Sequence, residues 1–249
     1  MNSLLNNRSA VITGAASGIG EATARLFSEN GAKVLAFDLD PSIESKFNNV
    51  DSISGIKLDI SSDNAPEKLY SAVERELGGL DILMNNAGVI TNGVIEEMTD
   101  EEWRKVFSVN VDATLRITRC VLPFLRKSDN GRILNIGSIM SSLGDSGLSA
   151  YSASKHAVAG LTKSIAAEIG PSGATANFIQ PGAIITGMTK EAFTVKEFRN
   201  FWSNRSALKR LGEPIDIARG ALFLASDLGA FVSGHGLVID GGALVAGSW

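Results

Sequence analysis

Short apolar runs closed by Gly, Asn or Asp alternate along this chain with longer stretches of helical period. The runs SAVIT (9–13), AKVLAFD (32–38), GIKLDI (55–60), LDILMNN (80–86), GRILNIGS (131–138), ATANFIQ (174–180) and GLVID (236–240) come in that order. Most are nearly continuous in apolar residues, the pattern of strands buried on both faces. Between them, residues 19–30, 66–78, 101–127, 151–169 and 214–226 are amphipathic at helical spacing. In the first of these, Ile19, Ala22, Leu26 and Phe27 share a face and Gly31 supplies the stop. Pro214 stands near the first turn of the last. Strand–helix alternation predicts the α/β class: a doubly wound parallel sheet of about seven strands with helices on both faces. No repeat and no linker-like run interrupts the pattern, so we read one domain over residues 1–249.

Composition narrows the partners. The net charge of −4 gives no basic footprint for nucleic acid. Cys120 is the only cysteine, which excludes an internal disulfide and points to a reducing compartment. No apolar run approaches the ~18 residues needed to span a bilayer. The opening MNSLLNNRSAV places Arg8 where a signal peptide needs an unbroken apolar stretch. A soluble, cytoplasmic protein is expected, with neither nucleic acid nor membrane as partner.

The first strand–helix junction, VITGAASGIGEATA (11–24), carries Gly14, Gly18 and Gly20. In a parallel sheet this is where a dinucleotide pyrophosphate meets backbone N–H groups and a helix N-terminus. Glycine lets the backbone approach closely. A plain tight turn would also explain the glycines. The second run ends at Asp38, near the offset at which an acid meets the adenosine ribose. A carboxylate there accepts from the ribose hydroxyls and repels a 2′-phosphate. Ala15, Ala16 and Leu39 bring no cation to hold that phosphate, so NAD is expected over NADP. The alternative is an ordinary strand-ending Asp.

YSASK places Tyr151 and Lys155 one helical turn apart on one face. Taken alone, the pair also fits an interfacial Tyr beside a solvated Lys. A free phenol has a pKa of about 10, so roughly one in a thousand is ionised at pH 7, a gap worth about 4 kcal/mol. A neighbouring ammonium favours the phenolate and would narrow it.

Several motifs now stand in order: TGAASGIG (13–20), Asp59 in LDI, NNAG (85–88), Asn110 in SVNV, Ser138 in NIGS, YSASK (151–155), PGAIIT (181–186) and DGG (240–242). Together they resemble the short-chain dehydrogenase/reductase family, in its compact single-domain branch with a Rossmann-type fold. The resemblance covers essentially the whole chain. It implies Tyr151 as the general acid/base and Lys155 as the residue that binds the nicotinamide ribose and lowers the phenol pKa. Ser138 would bond the substrate oxygen, and Asn110 would hold a water linking Lys155 to solvent. For the cofactor it implies Gly14, Ser17, Gly18, Ile19, Gly20, Asp38 and Leu39 at the first turn and second strand. Asp59 and Ile60 would lie by the adenine and Asn86, Ala87 and Gly88 on the adenosine side. Pro181, Gly182, Ile184 and Thr186 would embrace the nicotinamide and phosphates. By the same resemblance the enzyme is a homotetramer, the apolar segment 240–249 suiting a subunit contact.

Substrate recognition falls on two segments. Loop 139–150 should form one pocket wall, with Met140, Leu143 and Leu148. Residues 187–210 should form a cover, in which Phe198 with Phe201 or Trp202 gives an apolar underside. An NAD-dependent oxidoreductase acting on an apolar or cyclic secondary alcohol or ketone is the leading expectation. The framework is also similar to a 3-oxoacyl-acyl-carrier-protein reductase. That branch usually takes NADPH and docks its acidic carrier on basic residues, where this chain has Asp129 and Ser172. A non-catalytic NAD-binding regulator would have no need of the phenol–ammonium pair. No metal site is expected: His156 and His235 lack ligand spacing and read as structural or surface residues. Cys120 reads as a small core residue, and Thr99 or Asp100 as a helix cap.

Overall fold

The computed structural model describes residues 3–246. Part of the opening segment and the last three positions of 240–249 therefore lie outside the described residues. Seven strands, β1 (Ser9–Thr13), β2 (Lys33–Asp38), β3 (Ile53–Lys57), β4 (Ile82–Asn85), β5 (Arg132–Ile136), β6 (Thr175–Pro181) and β7 (Gly236–Ile239), form one sheet. All pairs are parallel, in the order β3-β2-β1-β4-β5-β6-β7. This is the doubly wound Rossmann-type arrangement. The order reverses between β1 and β4, opening a crevice at the carboxyl ends of the strands.

Successive side chains of a strand point to opposite faces, so each central strand feeds two cores. Ala10 and Ile12 of β1, with Val34 and Ala36 of β2, join Ala24 and Phe27 of helix α1 (Gly18–Glu29). Val11, Leu35 and Phe37 enter the opposite core. There they meet Leu69 and Val73 of α3 (Ala65–Glu76), which follows the short α2 (Ile43–Lys46).

The stretch 101–127 reads as one helix in sequence but is not one. α4 (Asp100–Phe107) passes through a π-helical turn, Ser108–Asp112, into α5 (Ala113–Lys127). A π-turn inserts one residue and redirects the face that follows, often beside a functional site. The start of α4 is set by Thr99, whose hydroxyl accepts from Glu102 N while Glu102 caps Thr99 N in return. α6 (Ser149–Ile169) adds Ile165 and Ile169 to the second core. α7 (Lys196–Arg205) lies within the predicted cover, and α8 (Pro214–Ala225) closes the first core with Ile217, Ala221 and Leu224. The short α9 (Ala243–Ala246) follows β7.

The third run is corrected: its strand starts two residues earlier and ends three residues earlier than 55–60. Leu58 N still donates to Asp38 O, but Asp59 then turns the chain away, its carboxylate accepting from Ser61 N at 2.9 Å.

Buried polar groups tie the helices to the sheet. Asn85 donates to Asn135 Oδ1 at 2.8 Å and Thr118 Oγ1 at 3.0 Å, and Asn135 donates to Thr162 Oγ1 at 2.9 Å. The chain of bonds runs from α5 across β4 and β5 to α6. It fixes the helix that carries Tyr151 and Lys155.

Candidate active site

A cavity of about 560 Å³ follows the carboxyl ends of the strands, touching Gly14 after β1, Asp38 on β2, Asn86 after β4, Ser138 after β5 and Pro181 on β6. At Gly14, φ is +67°, and a Cβ would sit 2.7 Å from Ala87 Cα. A Cβ on Gly20 would collide with Gly14 O and lie 2.7 Å from Asn86 Nδ2. Only glycine fits both places. Asn86 closes the turn from above, donating to Thr13 O at 3.0 Å and Gly14 O at 2.8 Å. Ser17, Gly18 and Ile19, at the N-terminus of α1, face the cavity. That end of a helix favours negative charge.

Asp38 is anchored by the same turn. Its Oδ2 accepts from Ala16 N at 2.8 Å and its Oδ1 from Asp40 N at 2.9 Å. Leu39 beside it is exposed. Asp59 and Ile60 line the same end of the cavity, and Ala87 and Gly88 its middle. Gly182 is held by its N–H to Ile239 O at 3.0 Å, and it lines the cavity with Ile184 and Thr186.

Tyr151 and Lys155 both open onto the cavity from α6. Lys155 is buried, and its Nζ donates to Ile136 O at 2.7 Å. Burial brings the ammonium down to about 8. The Tyr151 phenol is pushed up by burial, against which its hydrogen bond with Ser138 acts in the opposite sense. The sequence expectation of a lowered phenol included the positive nicotinamide ring, which acts on the phenol only when the cofactor is bound. In the protein alone, burial outweighs the hydrogen bond that favours the phenolate.

Ser138 leaves β5 at the start of a 3₁₀ turn, Ile139–Ser141, where its Oγ accepts from Met140 N at 3.1 Å. Ser141 Oγ accepts from Ser138 N and donates to Lys155 O at 2.9 Å, which locks this turn onto α6. Asn110 lies in the π-turn, 2% exposed and outside the cavity lining. Its Oδ1 accepts from Val89 N at 2.8 Å, and its Nδ2 donates to Val89 O and Ser154 Oγ at 3.0 Å. A Cβ on Gly88 would stand 3.2 Å from Asn110 Oδ1 and 3.6 Å from Lys155 Nζ. The clamp thus fixes the cavity floor between Gly88 and Lys155.

At the far end, Met140 and Leu148 line one wall, and Phe198 and Trp202 line the cover. Leu143 does not line the cavity, a correction to the sequence reading: the 3₁₀ turn sends the chain away after Ser141. Gly20 is likewise behind the lining, where it supports Gly14. Met188, Ala192 and Phe193 line the cavity within the expected cover 187–210 but were not singled out as lining residues, and Asn92 lies outside both expected substrate segments. Phe193 is signalled only weakly by the aromatic density of 190–210, yet it is 5% exposed, whereas Phe201 is 52% exposed and lies outside the lining. His156 bonds Ser152 O within α6, and His235 is an exposed residue whose N–H donates to Asn177. Among the described residues no cluster of His, Cys, Asp or Glu is placed to hold a metal ion, and no helix is long and apolar enough to cross a membrane.

Comparison with known proteins follows the same outline. A family profile described as enoyl-(acyl carrier protein) reductase matches residues 14–243. The chain is 36% identical over 240 residues to a 3-oxoacyl-acyl-carrier-protein reductase of Vibrio cholerae, covering 96% of this chain and 98% of that one. It is 36% identical over 247 residues to the meso-2,3-butanediol dehydrogenase of Serratia marcescens, covering 96% and 95%. A crystal structure assigned as a gluconate dehydrogenase from Agrobacterium tumefaciens superposes with a TM-score of 0.93 at 29% identity, over 98% of this chain and 99% of that one.

Proposed function

Because the chain belongs to the short-chain dehydrogenase/reductase family, we propose that it is an NAD-dependent enzyme interconverting a secondary alcohol and a ketone. Membership makes it an oxidoreductase of CH–OH and keto groups that uses a nicotinamide cofactor. One observation carries the finer reading. Ser138, Tyr151 and Lys155 meet at one part of a cavity whose other end presents the glycine turn and Asp38.

The residues present fit a dinucleotide. Gly14 and Gly20 leave a cradle that a Cβ would fill, and α1 offers its N-terminal N–H groups. Asp38 is the acid for the adenosine ribose, with Leu39 alongside. Asp59, Ile60, Asn86, Ala87 and Gly88 continue the adenosine side. Pro181, Gly182, Ile184 and Thr186 cover the nicotinamide half. When bound, the cofactor supplies hydride exchange at the nicotinamide ring.

The chain's own groups handle the proton and the substrate oxygen. Burial keeps the Tyr151 phenol protonated, so in reduction its O–H is the donor to the carbonyl oxygen. Ser138 donates to the same oxygen and fixes the carbonyl's orientation. Lys155 favours the phenolate when the reaction runs toward the ketone. Asn110 works through Val89 and Ser154 as a positioning residue. Its carbonyl accepts from Thr114 Oγ1 at 2.9 Å, and a relay water there would share it.

Exposed Trp103 and Leu115 on α4 and α5, and Val238 on edge strand β7, support burial between subunits of a homotetramer. The free thiol of Cys120 suits the cytoplasm.

The test is Tyr151→Phe. Turnover should disappear while NADH binding stays near wild type; loss of binding would place Tyr151 elsewhere in the mechanism. A 3-oxoacyl-acyl-carrier-protein reductase is the second reading, supported by the similarity to the Vibrio cholerae enzyme. Exposed Asp129 and Ser172 give an acidic carrier no cation to dock on at those positions. A higher kcat/KM for acetoacetyl thioesters with NADPH than for simple ketones with NADH would favour it.

A further inference from the structure

The cover end of the cavity is distinctive in what it contains. Among the described residues that line the cavity, the charged side chains are Asp38, Asp59 and Lys155. The first two stand at the adenosine end, and the third is committed to Ile136 O. The same cavity that Ser138 and Tyr151 line is also lined by Met140, Leu148, Phe193, Phe198 and Trp202, with Asn92 as a neutral polar group. A carboxylate or phosphate drawn into this end would be desolvated without a partner, which is costly.

The aromatic side chains are also arranged relative to one another. Phe193 and Phe198 are tilted at a centroid distance of 5.4 Å. Phe198 and Trp202 meet edge to face at 6.3 Å, as do Phe201 and Trp202 at 5.5 Å. The Arg205 guanidinium lies over Phe201 and Trp202, 5.1 and 5.5 Å from their centres. Edge-to-face contact is a preferred geometry of aromatic pairs, one that a further ring can extend. Phe198 lines the cavity yet is 41% exposed, so it offers apolar surface for a ligand to cover.

The segment is also anchored near the reacting centre. Thr189 Oγ1 donates to Ile184 O at 2.6 Å and accepts from Thr186 N at 2.9 Å. The aromatic corner is thus tied to the segment proposed to cover the nicotinamide.

We propose that Phe193, Phe198 and Trp202 form a specificity corner for a flat, uncharged ring carried next to the reacting carbonyl, so that the substrate class is a neutral aryl or fused-ring ketone and its secondary alcohol. This rests on the oxidoreductase reading above and narrows it. A linear aliphatic ketone would fill the same volume but could not stack. A keto acid would bring an unpaired charge to the corner.

The test separates binding from turnover. Calorimetric titration of the NADH complex of Tyr151→Phe uses acetophenone, octan-2-one and phenylpyruvate as probes. Acetophenone should bind about tenfold more tightly than octan-2-one, the scale on which one well-fitted apolar group discriminates. Phenylpyruvate should bind more weakly than acetophenone. Phe198→Ala and Trp202→Ala should each erase most of the aryl preference in the same background. Equal or tighter binding of octan-2-one or phenylpyruvate overturns the proposal, as does an aryl preference that survives both substitutions.

Wild-type turnover of the same ketones with NADH, run in parallel, tests the underlying reading. Turnover without aryl preference overturns the corner and leaves the oxidoreductase reading intact. Aryl-selective binding without turnover of any ketone does the reverse.

Discussion

Lys155 and Tyr151 stand one turn apart on α6, with the Lys155 Nζ 5.5 Å from the centre of the Tyr151 ring. Both groups are pushed by burial toward their neutral forms. The site therefore stores electrostatic cost in the folded protein, and that cost depends on pH.

The Lys155 pKa is about 8 when folded and about 10.4 in an unfolded chain. Below pH 8 both states carry the proton, and the folded state bears the full cost of a buried ammonium. Between pH 8 and about 10.4 the unfolded state binds more protons, so this contribution to stability rises with pH. Lys155→Met should remove that rise. Denaturant unfolding of both proteins at pH 7 and pH 10 should show wild type gaining on the variant at the higher pH.

Turnover should respond with opposite signs in its two directions. With Tyr151 as the proposed proton carrier, alcohol oxidation uses its phenolate and should climb as pH rises through its ionisation. Ketone reduction needs the phenol and should decline over the same interval. Initial rates in both directions across pH 6–11 (roughly the range that brackets a phenol) check this, and parallel profiles would count against Tyr151 as the proton carrier.

In the proposed reading Asp38 sets the cofactor by charge. Asp38→Ala combined with Leu39→Arg should shift the ratio of kcat/KM values from NADH toward NADPH. Losing the carboxylate also releases Ala16 N, so a slightly lower Tm is expected. A wild-type preference for NADPH would contradict the role given to Asp38.

Arg205 holds Trp202 by its stacking rather than by contact with the cavity. Such a cation–π contact at a partly exposed place is worth about 0.5–1 kcal/mol. Arg205→Ala should raise KM for an aryl ketone about two- to fivefold at little change in kcat. Arg205→Lys, which keeps the cation, should recover part of the loss. An equal fall in kcat would mean that Arg205 acts on the chemistry instead.

Asn135 holds α6 to the sheet. Asn135→Ala leaves the Asn85 amide with Thr118 as its one acceptor and removes a donor to Thr162, a buried deficit of about 1–3 kcal/mol. For a chain of this length each kcal/mol lowers Tm by roughly 2–4 °C. Thermal unfolding should show that drop, with kcat falling less than in any substitution at Ser138 or Tyr151.

Strands, helices and their alternation were readable because buried strands and amphipathic helices write simple periods into the chain. The reacting groups were readable because a proton-transfer pair must keep its spacing on a helix, and a glycine turn must keep its gaps. Leu143 and Phe193 mark where reading stopped. Each sits where the backbone leaves a regular period, so apolar character alone does not tell which way the side chain points. Asp38 could be placed on its strand, but its bond to Ala16 depends on how the glycine turn folds back. The raised phenol of Tyr151 was also hidden, since desolvation is a property of the whole enclosure and not of its spacing from Lys155.

The π-turn at Ser108–Asp112 gives the chain one residue more than a straight α-helix would use. Regularity and function are opposed at that spot. Removing a single residue between 108 and 112 would let α4 run smoothly into α5, improving the helix by every local criterion. It would also rotate Asn110 off Val89 and Ser154. Most deletions harm a protein by breaking its geometry; this one would harm it by making the geometry more ideal.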